Sequence, residues 1–179
     1  TRRDKPPLLA TNGLSIGYRG KGKGKVLGDS LNLSLEAGHL VCLLGANGAG
    51  KTTLMRTLAG TQPHLSGSIS LEGQPIAAYP RKSLAKKMAL VLTETIPTGN
   101  LSVYSLLSLG RYPYLSWLGL LSNQDKLAIK KAVVATGIEQ FLGQPIHQLS
   151  DGERQKVMIA RALVQETPII LLDEPTAHL

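Results

Sequence analysis

Aromatic residues make up only 4% of this 179-residue chain, with one Trp and one Phe. That scarcity argues against rows of rings on which nucleic-acid bases stack, and no nucleic-acid partner is expected. There is a single cysteine, Cys42, so no internal disulfide can form, which suits a reducing compartment. No apolar stretch reaches the roughly 18 residues needed to span a bilayer, and no signal peptide is visible. His39, His64 and His147 show no metal-ligand spacing, and His147 reads as structural. Acids are scarce beside bases, 12 against 20, giving a net charge of +8. Apart from Arg2, Arg3, Lys5 and the run "RGKGKGK" (19–25), the basic residues are spread out. Such runs read first as solvated loops, with nucleic acid, acidic lipid or phosphate as other takers. No repeat and no low-complexity segment is present.

What the chain does have is 42% hydrophobic residues, enough for one core and a subdomain. Residues 8–18 and 26–38 predict two strands around a glycine-lysine turn. In the second, Leu31, Leu33 and Leu35 alternate with Asn32, Ser34 and Glu36, so one face is buried. The run "HLVCLLG" (39–45) predicts a central strand covered on both faces. A helix follows over 51–59, stopped by Gly60; then a short strand and turn over 66–76, a helix over 81–87 and a buried strand over 88–93. From about residue 95 the pattern turns helical, over 101–110 and 123–137, each closed by Gly, with Ser122 and Asp125 as a start signal for the second. Residues 167–175 return to buried-strand character.

Three stretches carry chemistry. "GANGAGKTT" (45–53) fits G-x-x-x-x-G-K-[ST] through Gly45, Gly50, Lys51 and Thr52, between a predicted strand and a helix. Glycines let backbone N–H groups curve around phosphate oxygens, and the helix N-terminus adds positive charge. Lys51 would reach the β- and γ-phosphates and the Thr52 hydroxyl would ligate Mg²⁺. The bland alternative is a tight strand-to-helix turn. "IILLDEP" (169–175) puts two carboxylates at a strand end, where open α/β sheets bind ligands. Asp173 suits the Mg²⁺ water shell and Glu174 suits polarisation of an attacking water; alternatively both are solvated acids. "LSDGERQKVMIARAL" (149–163) opens with Ser150 and Glu153 at capping-box spacing, yet Gly152 sits in the first turn, where a helix gains nothing from it.

These motifs resemble those of the ATP-binding cassette (ABC) ATPases over nearly the whole chain. "GANGAGKTT" is similar to the family's Walker A motif, "LSDGE" to its signature, "IILLDE" to its Walker B motif and "TAHL" to the start of its D-loop. The resemblance implies an α/β fold: a RecA-like P-loop NTPase core with an N-terminal antiparallel β subdomain and an inserted α-helical subdomain. The C-terminal part of the family fold would be missing. The implied divisions are 1–94, the β subdomain and phosphate-loop core; 95–160, the helical subdomain; and 161–179, the return to the core. Nucleotide contacts are implied at Tyr18 (stacking on adenine, or else a half-buried strand tyrosine), Gly45, Asn47, Gly48, Ala49, Gly50, Lys51, Thr52 and Thr53. Further contacts are implied at Ser150, Gly152 and Glu153, which face the γ-phosphate held by a second, antiparallel copy. A side chain at 152 would intrude on that nucleotide. The expected assembly is a homodimer sandwiching two ATP molecules, with Mg²⁺ at Thr52 and Asp173.

Departures from the family pattern carry expectations of their own. Asp151 stands where glycine is commoner, so its carboxylate must point away from the triphosphate. Glu153 replaces the commoner glutamine. Glu94 occupies the place of the Q-loop glutamine and could still touch Mg²⁺ or the attacking water, a catalytic and metal role. The start at Thr1 and the stop at Leu179 suggest a fragment, without the D-loop aspartate or the switch histidine. Such a fragment is expected to bind ATP, hydrolyse it poorly and self-associate through the strand at 169–172. Residues 101–119 and 149–179 look like the ATP subunits of importers for iron–siderophore complexes, haem or cobalamin. That resemblance implies an integral-membrane permease docking on "YPYLSWLGLL", a substrate-binding protein acting indirectly, and a place on the cytoplasmic face of the membrane. The alternatives are plain packing of 101–119, a soluble ABC ATPase working on ribosomes or DNA, and a nucleotide-binding module with little turnover.

Overall fold

The computed structural model describes residues 6–20, 24–92 and 99–174. Residues up to Leu84 form one compact unit and those from Ala85 onward a second.

The first unit is an antiparallel sheet with a short helix. Strand β1 (Leu9–Tyr18) lies between β2 (Lys25–Leu31) and β4 (Ser66–Leu71), and β4 pairs in turn with β5 (Gln74–Pro75). The predicted strand over 26–38 divides in two, because β3 (Ser34–Leu35) pairs with the start of β1 while β2 pairs with its later half. The break is held by side chains that compete for the ladder. The Thr11 hydroxyl donates to Leu31 O at 2.9 Å and accepts from Leu33 N at 2.9 Å. Gly13 N donates to Asn32 Oδ1 at 2.8 Å. Across β1, Leu9, Leu14 and Ile16 meet Ile69 and Leu71 of β4 in the core, with Leu54 and Leu58 from helix α1 (Lys51–Leu58). Helix α2 (Arg81–Leu84) ends this unit.

The run 39–45 is a correction. Among the described residues it forms no strand and has no strand partner. Leu40 and Leu44 are 93% and 89% exposed, and Cys42 is exposed too. A continuous apolar run makes a central strand only where both edges find partners and both faces find cover. Neither is supplied here, so the loop 45–50 follows irregular chain rather than a strand.

The second unit packs helices on a parallel strand pair. Strands β6 (Met88–Val91) and β7 (Ile169–Leu172) pair in register from Met88↔Ile169 to Val91↔Leu172. Helix α3 (Val103–Leu109) is N-capped by Ser102. Helix α4 (Asn123–Thr136) starts on the Ser122–Asp125 capping box and stops at Gly137, whose φ is 63°. Helix α5 (Asp151–Val164) starts on the Ser150–Glu153 capping box. The core joins Val103, Leu106 and Leu107 of α3, Ile129 and Val133 of α4, Val157, Ala160 and Val164 of α5, and Ala89 and Val91 of β6. Among the described residues no helix is long and apolar enough to cross a membrane.

Candidate functional site

In the first unit the site is a helix start left open. Gly48 and Gly50 have φ of 78° and 95°, a left-handed backbone that a residue with a Cβ rarely adopts. Gly50 is the N-cap of α1 and has no side chain to offer; nor is there an acid in the first turn. The free N–H groups of a helix start normally find a capping oxygen. Here no side chain caps them, and residues 45–49 lie exposed, so the positive pole is open to an anion. The Lys51 ammonium folds back to donate to Gly45 O at 2.9 Å and Ala46 O at 3.0 Å. A phosphate would replace those two neutral acceptors with oxygens of opposite charge, adding ion pairing to bonds whose donor is already charged. Tyr18 ends β1 with its ring half-exposed, and its hydroxyl lies 3.1 Å from Oγ1 of the buried Thr53. Tyr18, Lys51, Thr52, Thr53 and the glycine loop are therefore brought to one end of α1.

In the second unit, β7 delivers two adjacent carboxylates into opposite surroundings. Asp173 is 3% exposed, and its N–H continues the ladder to Val91 O at 2.9 Å. Glu174 is exposed, with φ of 46°, a conformation that costs a non-glycine residue about 1–3 kcal/mol. At the start of α5, Glu153 Oε2 accepts from Ser150 N at 2.8 Å and from Ser150 Oγ at 2.7 Å, and Glu153 N donates back to Ser150 Oγ at 3.4 Å. The Ser150 bonds hold the Glu153 carboxyl below its ordinary pKa. Asp151 turns to Arg154 on the next turn, Oδ1 to Nη1 3.4 Å. Gly152 is the second residue of the helix and is part-exposed.

No group of three or more His, Cys, Asp or Glu among the described residues could cage a metal. Thr52 in the first unit and Asp173 in the second each carry a hard oxygen of the kind Mg²⁺ takes.

Residues 29–177 match the family described as ABC transporter. The chain belongs to that family. It is 41% identical over 172 residues to an uncharacterized ABC transporter ATP-binding protein of Methanocaldococcus jannaschii, covering 96% of this chain and 58% of the relative. It is 40% identical over 172 residues to the iron(3+)-hydroxamate import ATP-binding protein FhuC of Bacillus subtilis, covering 96% and 62%. Among solved structures it matches the dimeric structure of MJ0796, a bacterial ABC transporter cassette, with a TM-score of 0.81 and 23% identity over 96% of this chain and 75% of that one. The fold is thus the ABC cassette, α/β with an antiparallel β subdomain. The chain spans about three-fifths of the length of these curated relatives.

The residues expected to form Walker A gather around α1, and those expected to form the signature and Walker B lie at the start of α5 and the end of β7. Glu94 and the "TAHL" stretch lie outside the described residues. Sequence reasoning passed over one group, Arg111. It is 4% exposed, with its guanidinium tied to Asp125, Val164 O and Glu166. The signal was a lone arginine in the apolar run "SLLSLGRYPYL", with an acid at the next helix start.

Proposed function

We propose that this chain is the nucleotide-binding and hydrolysing part of a membrane importer for iron–siderophore, haem or cobalamin-type complexes. The observation that carries the proposal is the glycine loop that leads into α1 with Gly50 at the capping position and no acid in the first turn, and with Lys51 folded back over that loop. The likeness to an iron-hydroxamate import protein supports the transported class.

In this reading the Tyr18 ring stacks on adenine, and the loop Gly45, Asn47, Gly48, Ala49 and Gly50 with Thr53 wraps the phosphates. Lys51 leaves the Gly45 and Ala46 carbonyls for the β- and γ-phosphate oxygens. Thr52 and Asp173 are the residues that would hold Mg²⁺, which when bound would supply neutralisation of phosphate charge. Glu174 accepts the proton of the attacking water. Glu94, which takes the sequence position of the Q-loop glutamine, would touch the same water or the ion. A second copy supplies Ser150 and the Gly152 N–H, aided by the helix pole, so hydrolysis needs a homodimer. The permease docks on residues 101–119 at the cytoplasmic face of the membrane, and a substrate-binding protein acts through it. Tyr112, Trp117, Leu118 and Leu120 are 70%, 92%, 58% and 70% exposed, an apolar surface of the kind that partners cover.

The test is Glu174→Gln in the full-length protein. Turnover falls about 10² to 10⁴-fold while ATP affinity holds. Unchanged turnover removes Glu174 from the reaction. Loss of ATP binding on Lys51→Ala is the companion expectation, and binding that survives it removes the loop assignment.

A further inference from the structure

The nucleotide site makes no use of the cation buried beneath the segment 112–121. The Arg111 Nε donates to Asp125 Oδ1 at 2.7 Å. Its Nη1 donates to Val164 O and to Glu166 Oε2, both at 2.8 Å. The Tyr114 ring covers the guanidinium face, its centroid 3.9 Å from Cζ, with the Lys86 ammonium 5.1 Å from the same ring. The Tyr114 hydroxyl donates to Gln165 O at 2.8 Å. The Gln165 amide in turn donates to Ala85 O and, at 3.1 Å, to Met88 O at the start of β6. Asp125 is also the capping acid of α4, accepting from Ser122 N and Oγ at 2.8 and 2.6 Å. One guanidinium therefore fastens the end of α3, the start of α4 and the end of α5. It also floors a cleft of about 330 Å³ lined by Tyr114, Leu120, Leu121 and Gln124.

Stability alone is a poor reason for this arrangement. Burying an ion costs several kcal/mol, and apolar side chains of similar volume hold helices together as well or better. What a planar fork adds is orientation: three bonds in fixed directions, unlike an apolar contact that can slide. The groups it orients are the loop that carries Tyr112, Trp117, Leu118 and Leu120, and the C-terminal end of α5. The opposite end of α5 presents Ser150. A helix of 14 residues spans about 21 Å and moves as a rod.

We propose that Arg111, with Tyr114 stacked on it, is a positioning residue that makes displacement of loop 112–121 and displacement of α5 a single motion. The membrane partner's push on the loop then reaches the signature end of α5, and through Gln165 it reaches β6. This inference rests on the importer reading above.

The experiment uses the full-length protein, alone and assembled with its permease in lipid nanodiscs, as Arg111→Lys and as Tyr114→Phe. The first keeps a cation and loses the fork; the second loses only the hydroxyl bond to Gln165 O. ATP affinity and the ATPase rate of the protein alone should stay within about twofold of the parent. Permease stimulation should fall about tenfold, the size of an ordinary coupling energy. Amide hydrogen exchange gives a second readout. In the parent, loop 112–121 and residues 161–166 change protection together on assembly; in the variants the loop changes and the helix end does not. Full stimulation with joint exchange in both variants overturns the proposal. Equal loss of isolated and stimulated activity also overturns it, since that marks a fold defect. A parent protein that gains nothing from the permease removes the importer reading, and this inference with it.

Discussion

Replacing Gly110 with alanine separates two reasons a glycine is needed. Gly110 closes α3 with φ −61° and ψ −23°, an ordinary right-handed conformation. The backbone alone would therefore welcome alanine, with a gain of about 0.4–1 kcal/mol from a less flexible unfolded chain. A Cβ there would stand 2.8 Å from Arg161 O, 3.0 Å from Leu107 O and 3.2 Å from Val164 Cγ1. Arg161 O is helix backbone on α5 and cannot swing aside as a side chain would. The clash must be relieved by moving α3 off α5, and overpacking of that kind costs about 1–3 kcal/mol. The net expectation is destabilisation by about 1–2 kcal/mol, a fall in melting temperature of about 2–8 °C. The control is Gly137→Ala, where φ is 63° and a Cβ would meet nothing within 4 Å. There the cost is conformational, about 1 kcal/mol, and Asn, which tolerates a left-handed backbone, should recover part of it. Asn at 110 should be worse than Ala, because it is larger. The assay is urea unfolding followed by far-ultraviolet circular dichroism on all four variants. A Gly110→Ala protein as stable as the parent, or more so, would refute the packing argument, whatever happens at 137.

The remaining predictions concern charge. Burial works against an ionised Asp125, but hydrogen bonds from Ser122 and Arg111 outweigh it and hold its carboxyl below the ordinary value. A depressed folded pKa stabilises above the unfolded value near 3.9 and is lost as pH falls through the folded one, so unfolding free energy should drop below about pH 4. Asp125→Asn should flatten that acid limb in pH-dependent melts while lowering stability at neutral pH; an unchanged limb would show that another group sets it. Glu153 accepts the Ser150 hydroxyl proton that, in the dimer reading, a phosphate of the opposing copy would want. Glu153→Gln should therefore strengthen ATP-dependent dimerisation, measured by light scattering on a hydrolysis-blocked background. Weaker dimerisation would mean that the carboxylate itself supports the interface.

Much of this was legible because local chemistry is written locally. The Ser150–Glu153 spacing predicted a capping box and the Ser122–Asp125 spacing a helix start; both close as capping boxes, since each needs only four consecutive residues. The turn into α1 was legible for the same reason, Gly48 and Gly50 falling where φ turns positive. The strand predicted at 39–45 fails on a different ground. Apolarity reports that a segment has something to bury, not which neighbours will bury it, and Leu40 and Leu44 find none among the described residues. Arg111 fails in the opposite sense. Its partners lie 14, 53 and 55 residues away, and no local pattern announces a bond made at that range. The division of residues 26–38 into two strands also rests on distant groups, Thr11 and Gly13, rather than on anything within that stretch.

The two motif helices also differ in a way that bears on function. Both α1 and α5 begin with backbone N–H groups that need acceptors. At α5 the protein supplies them: Ser150 accepts from Glu153 N, and Glu153 accepts from Ser150 N. At α1 no side chain serves, because Gly50 holds the capping position and the first turn is Lys51, Thr52 and Thr53. One helix start carries a reciprocal side-chain cap and the other carries no side-chain cap. An anion should therefore bind first and more tightly at α1. The start of α5 can join only at the expense of its own cap, or through the N–H groups the cap leaves free. In the proposed dimer, that order of events would make nucleotide binding to one subunit the prerequisite for pairing with a second, rather than its consequence. Titrating nucleotide into a monomeric preparation and following occupancy and association separately would reveal the sequence, with occupancy at the loop preceding any change in mass.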